Sequence, residues 1–195
     1  MKLFIKYMVS TRCILTVKEV LKNSGLHFDV VGLGEAEILE EISDTKREQL
    51  KRALSESGLQ LIDNKKSILI ERIKNTIIEM IHRADEMIKV NFSSYLSEKL
   101  NHDYTYMANL FSAAQGTTIE QFIIFHKVER IKELIIYNEM NITEIAWKLN
   151  YSSVAHLSNQ FKKVTGLSPT HFKQLKDKKR IAIEEVGALM SCDNF

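Results

Sequence analysis

The residues best suited to chemistry lie between Asn141 and Phe172. Within that stretch Leu157 and Phe161 take one face of an expected helix, and Ala155, His156, Asn159, Lys162 and Lys163 fall on its other faces. An amide, an imidazole and two ammonium groups on one exposed helix can bond polar edges and neutralise anions. Residues 141–180 hold eight Lys/Arg against two acids, or +6, whereas 67–140 hold eight against ten, or −2, and 181–195 none against three, or −3. On a chain of net charge +2, such a segment marks either a localised polyanion contact or a solvated helix face. A second candidate for reactivity is Cys13, a thiol at the start of an expected helix. Cys13 and Cys192 sit near opposite ends and are too few for a disulfide framework. The chain has no Gly-rich phosphate loop, no His-Glu-x-x-His and no Cys-x-x-Cys. Its histidines (27, 82, 102, 126, 156, 171) are scattered, and His82 and His126 lie within apolar helix patterns, as hydrogen-bonded core histidines do. A protein that binds, and not an enzyme, is expected.

These groups must be positioned mainly by helices. The 195 residues include seven Gly and one Pro, with neither in 59–115, so few breakers interrupt helix. The apolar fraction of 45% and charged fraction of 27% fit one large or two small globular domains. No apolar run approaches the roughly 20 residues of a membrane span. Lys6 interrupts Leu3-Phe4-Ile5 before a signal-peptide core develops. A cytoplasmic protein with no membrane partner is expected.

Residues 1–64 show a mixed pattern. Leu3-Phe4-Ile5 reads as a strand, and 12–24 as a helix with Ile14, Val17, Val20 and Leu21 on one face, stopped at Gly25. Phe28–Val31 and Ala36–Leu39 flank Gly32-Leu33-Gly34 as a hairpin. Residues 44–57 read as a helix with Leu50, Ala53 and Leu54 inward, stopped at Gly58, and 59–62 closes as a strand. The order β-α-β-β-α-β is that of the ferredoxin-like split βαβ plan.

Residues 65–90 read as a connecting helix. Ile70, Ile77 and Ala84, with Ile73, Met80 and Met87, form an a/d seam over about three heptads. The seam suits either a homodimer or packing on a neighbouring domain of the same chain, and Ile78, Ile81 and Ile88 widen it in the second direction.

Residues 91–180 contain an internal repeat. Lys99-Leu100-Asn101 matches Lys148-Leu149-Asn150 at an offset of 49, and Phe111, Gly116 and Phe122 match Phe161, Gly166 and Phe172 at 50. A one-residue insertion in the intervening turn reconciles the two. In the second copy Asn141 and Glu144 form a capping box, Ile142, Ile145, Ala146 and Leu149 an apolar stripe, and Asn150 a residue tolerant of the left-handed conformation. Ser152 or Ser153 caps the next helix, Gly166 ends it, and Pro169 opens another. In the first copy Leu96, Leu100, Met107, Leu110 and Phe111 are core candidates. Between the copies Thr117 and Glu120 are expected to form another capping box. Ile119, Phe122, Ile123 and His126 then line a helix reaching about Tyr137, which spaces the two copies. Helix, tight turn and polar basic helix together are the plan of a helix-turn-helix DNA reader.

Residues 91–176 resemble the tandem helix-turn-helix domain of the AraC/XylS family of bacterial transcription regulators. The resemblance rests on Ile142-Thr143-Glu144-Ile145-Ala146, Asn150-Tyr151-Ser152-Ser153 and Phe161-Lys162-Lys163-Val164-Thr165-Gly166-Leu167-Ser168-Pro169-Thr170-His171-Phe172. Asn150 replaces the usual Gly, and Leu157 a frequent Phe. The resemblance implies that the second helix of each copy enters the major groove, with double-stranded DNA as partner and RNA polymerase as a further contact. It implies base-facing roles for Thr105, Tyr106, Ala108 and Asn109, and for Ser153, Val154, Ala155, His156 and Asn159, with Lys162 and Lys163 nearer phosphate. Asn159 suits adenine, and Val154 or Ala155 a thymine methyl; neither helix holds an Arg for guanine, which favours A·T-rich sites. The charge balance assigns most salt-dependent affinity to the second copy.

Residues 2–63 resemble the heavy-metal-associated fold of copper chaperones and metal-transporting ATPases, whose first loop carries Met-x-Cys-x-x-Cys. Here the string is Met8-Val9-Ser10-Thr11-Arg12-Cys13, with Ser10 in place of the first thiol. The resemblance implies the fold, while a serine hydroxyl is a poor ligand for a soft ion such as Cu(I). No cofactor is expected beyond such a metal at Cys13. The expected whole is mostly α with a small α+β N-terminal domain: 1–64 ferredoxin-like, 65–90 connecting helix, 91–180 tandem helix-turn-helix and 181–195 a tail. It reads as a sequence-specific transcription regulator; the competing reading is a soft-metal carrier or thiol sensor whose helical domain docks to protein.

Overall fold

The computed structural model describes residues 1–82, 91–175, 179–183 and 185–186. The chain is mostly helical, with one small antiparallel sheet near its N-terminus, and it divides into two compact units, Met1–Asn75 and Thr76–Phe195.

In the first unit β1 (Lys2–Lys6), α1 (Thr11–Asn23), β2 (Phe28–Val31), β3 (Glu35–Ile38), α2 (Asp44–Glu56) and β4 (Gln60–Ile62) follow one another. The strands lie in the order β2-β3-β1-β4, all antiparallel, with Leu3 opposite Ala36 and Ile5 opposite Leu61. Alternation along β1 sends Leu3 and Ile5 into one core with Ala36, Ile38, Leu61 and the helix residues Val17, Leu21, Leu50 and Leu54. Ser10 and Ser43 start the two helices by accepting from Cys13 N and Lys46 N. Gly34 has φ +84°, and a side chain there would collide with the buried amide of Asn75.

Helix α3 (Lys65–His82) starts where Asn64 Oδ1 accepts from Lys66 N at 2.9 Å. Ile70, Ile73, Ile77, Ile78, Met80 and Ile81 are all buried by the chain itself. The seam that reads as available to a second copy is therefore already covered along these residues. Ala84, Met87 and Ile88 lie outside the described residues.

The second unit continues with α4 (Phe92–Leu100), α5 (Tyr104–Gln115), α6 (Ile119–Tyr137), α7 (Ile142–Lys148), α8 (Val154–Thr165) and α9 (Pro169–Gln174). The repeat extends to atomic detail. Asn91, Asp103 and Thr118 cap α4, α5 and α6, and Asn141, Ser153 and Ser168 cap α7, α8 and α9, each pair 50 residues apart. Asn101 and Asn150 both sit at φ +53°, and Gly116 and Gly166 at +67° and +76°. Phe111 meets Phe122 edge-on at 5.4 Å and 68°, and Phe161 meets Phe172 at 5.6 Å and 68°.

Two local expectations need correction. Thr118, not Thr117, caps α6 by accepting from Gln121 N at 3.1 Å, and Glu120 instead accepts from Tyr104 Oη at 2.5 Å. Leu110 is only half-buried, because Met107 and Phe111 hold the inward face of α5. The capping box of Asn141 and Glu144 forms in full, at 2.7 and 3.0 Å.

Candidate nucleic-acid interface

Helices α5 and α8 are built the same way. Met107 and Phe111 anchor α5, and Leu157, Phe161 and Val164 anchor α8; each anchor is buried. Anchors spaced four apart leave the opposite face outward. On α5 that face carries Thr105, Tyr106 and Asn109, all exposed, with Ala108 half-buried. On α8 it carries Ala155, His156, Asn159, Lys162 and Lys163, all exposed, with Val154 half-buried. Ser153 is exposed, but its hydroxyl accepts from His156 N at 3.0 Å as the helix cap. The structure thus brings each set together on one helix. Asn109 and Asn159 occupy the same position, six residues past the caps Asp103 and Ser153.

The third residue of α5 and of α8 is steadied by the preceding turn. Tyr106 lies against the His102 ring at 6.0 Å. His156 Nδ1 pairs with Ser152 Oγ at 3.0 Å, and its ring meets Tyr151 edge-on at 5.3 Å.

The electrostatics of the copies differ. Helix α5 contains no charged residue. The basic residues of 91–140 are each paired or enclosed. Lys99 meets Glu79 at 2.9 Å, Arg130 meets Glu133 at 2.7 Å and Lys132 meets Glu129 at 2.5 Å. Lys127 is enclosed, and burial pulls its ammonium down to about 8. In the second copy Lys162 and Lys163, in the last turn of α8, have no ion-pair partner among the described residues. Lys173 and Lys179 are likewise exposed and unpaired within that set.

A buried polar cluster lies along α6. His126 Nδ1 stands 3.4 Å from His82 Nε2, and His82 Nδ1 is 3.8 Å from Glu133 Oε2. Glu133 is held down to about 2 by His82 first, then by Arg130 and Arg180, against the opposing effect of burial. The two histidines, read as core residues, meet each other inside this ionic cluster. The chain around residues 180–181 also meets this cluster: Ile181 N donates to Glu129 Oε2 at 3.1 Å, and Arg180 reaches Glu133 at 3.5 Å. Its apolar pattern alone does not point to α6.

Around Cys13, the Sγ lies 3.3 Å from Ser10 Oγ. Ser10 is occupied as the cap of α1, and its hard oxygen beside one thiol does not fit a soft metal that takes two thiolates. Among the described residues no helix is long and apolar enough to cross a membrane.

Residues 96–175 match the model of a helix-turn-helix domain family. The uncharacterized HTH-type transcriptional regulator YtdP of Bacillus subtilis (strain 168) is 23% identical over 106 residues, 54% of this chain and 14% of that protein. The probable transcriptional regulator LumQ of Photobacterium leiognathi is 25% identical over 132 residues, 68% of this chain and 50% of that one. The chain thus spans half or less of the length of these relatives. Among solved structures, the C-terminal domain of AraT, a response regulator from Geobacillus stearothermophilus, is similar at TM-score 0.49 and 22% identity, covering 61% of this chain and 92% of that one. A DNA-binding transcriptional dual regulator from Escherichia coli K-12 is similar at TM-score 0.46 and 17% identity, covering 54% and 89%. Residues 96–175 thus match a helix-turn-helix domain, and both of these relatives bear the names of transcriptional regulators.

Proposed function

We propose that the chain is a sequence-specific regulator that inserts α5 and α8 into two successive major-groove segments. The observation that carries this is the repetition of one anchored helix, with its cap, turn and ring pair, placing Asn109 and Asn159 at the same outward position. An Asn there can bond adenine N6 and N7 bidentately, and Ala108, Val154 or Ala155 can meet a thymine methyl. Thr105, Tyr106 and His156 supply further polar contacts. Lys162 and Lys163 take phosphate, which fixes register without reading sequence. The protein acts by binding, with no cofactor, in the cytoplasm.

The first unit we read as a split βαβ, ferredoxin-like module over 1–64, followed by α3 (Lys65–His82) and by a reader domain whose helices run from Phe92 to Gln174. Its element order and its strand order β2-β3-β1-β4 support this. It serves as a signal or partner module; the single thiol argues against a metal carrier.

The test is selection of bound duplexes from a random library with the full chain at about 150 mM salt. One asymmetric site covering two adjacent groove segments is the expected result, and an inverted pair would add a dimer. No enrichment under any condition would overturn the proposal, and Cu(I) binding through Cys13 would then favour the carrier.

A further inference from the structure

The two copies differ by one residue in the turn. In the first, Asn101 at φ +53° is followed by His102 and then the cap Asp103; in the second, Asn150 at φ +53° is followed by Tyr151, Ser152 and the cap Ser153. The extra residue is Tyr151, and it points inward: only 9% of it is exposed. Its hydroxyl donates to Gln160 Oε1 at 2.6 Å, and its ring meets His156 edge-on. Tyr151 is therefore tied to α8 at two points, one of them beside the reading face.

Beyond Tyr151 stands Lys127 of α6. Its Nζ lies 4.8 Å from the centroid of the Tyr151 ring and 5.3 Å from that of Phe92, the first residue of α4. Both distances fall within the reach of a cation–ring attraction. The ammonium has no carboxylate partner among the described residues, so the rings are what holds it. One side chain on the spacing helix thus touches the opening helix of the first copy and the turn of the second. An apolar side chain at this position would fill the space, but it would not be drawn to both ring systems at once. The enclosed ammonium is also poorly placed for a phosphate.

We infer that Lys127 is a positioning residue that, by holding Phe92 and Tyr151 about one ammonium group, fixes the offset between the two reader helices and hence the spacing of the two half-sites the protein accepts. The inference rests on the proposed reading of DNA by α5 and α8. It assigns spacing preference to a residue that touches no base.

The test starts from the site selected by the unaltered full chain, rebuilt with one base pair added or removed between the segments. The parent is expected to favour one spacing by about tenfold. Lys127→Met should lose most of that preference while keeping the base preferences within each segment. Its salt slope should stay at the parent value, and Lys127→Arg should restore the spacing preference. Phe92→Leu, at a half-buried position, should behave like Lys127→Met and serves if that variant does not fold. A parent-like spacing preference in both Lys127→Met and Phe92→Leu would overturn the inference. So would a slope shallower by about one in Lys127→Met, since that would make Lys127 a phosphate contact. Absence of any selected site for the parent would instead overturn the DNA reading itself, before a variant is made.

Discussion

The two helix-turn-helix copies share a skeleton and differ in charge. Their caps, left-handed residues and ring pairs repeat 50 or 49 residues apart, yet where α8 carries Lys162 and Lys163 the equivalent positions of α5 carry Ser112 and Ala113. The bases nearest the first copy are neutralised by Glu79, Glu129 and Glu133 or enclosed by rings. Shape and charge are therefore separable in this chain. One duplicated scaffold presents two helices, and of the two only α8 carries ammonium groups.

The largest expected effect tests the shared skeleton. Phe111→Ala and Phe161→Ala each remove a fully buried ring with an edge-on partner, and each should cost about 3–5 kcal/mol in denaturant unfolding. A difference of more than roughly 2 kcal/mol between them would show that the copies are not equivalently packed. Next comes base reading. Asn109→Ala and Asn159→Ala should each relax preference at one base position, by about 1–3 kcal/mol of discrimination, and at different positions of the site. Unchanged specificity in either would remove that copy from the readout. The charge difference is tested by exchange. Lys162→Ala should lower affinity for all sequences and make the salt slope shallower by about one, while Ser112→Lys should steepen it by about one. An unmoved slope in Lys162→Ala would mean that Lys162 touches no phosphate.

The smallest effect concerns α6, which carries both copies. Glu133 is held down to about 2 in the folded chain, against a usual carboxyl value of 4.5. The unfolded chain therefore takes up its proton first as pH falls. This contribution to stability is fully present above about pH 5 and is lost between there and about pH 2. Glu133→Gln should flatten that part of the stability profile, measured by unfolding at stepped pH. A profile identical to the parent would show that His82, Arg130 and Arg180 do not stabilise the Glu133 charge.

What was legible in the sequence was local. A capping side chain and the amide it serves lie within about three residues, so Asn141 with Glu144 is readable from type and spacing alone, whereas Ser152 and Ser153 suit the next cap equally and the structure selects Ser153. Asn150 is readable because few residues tolerate positive φ. The choice between Thr117 and Thr118 was not legible, since both hydroxyls suit a cap and the packing of Ile119 decides between them. A heptad seam shows that a face is apolar but not what covers it, and the residues of α3 from Ile70 to Ile81 are covered within the chain. The surfaces of α5 and α8 were legible because burial of every fourth residue dictates the exposed remainder. Lys127 with Tyr151 was not, because a cation held by a ring 24 residues away in sequence leaves no periodic trace. The return of Ile181 to Glu129 is hidden for the same reason.

The most direct test of two like readers with unlike charge is paired interference footprinting on a selected site. Base methylation and phosphate ethylation would each be scored for loss of binding by the full chain. Base interference is expected in both groove segments, with phosphate interference concentrated on the segment that loses its base signal in Asn159→Ala. Base interference in one segment only, or phosphate interference spread equally over both, would contradict this expectation.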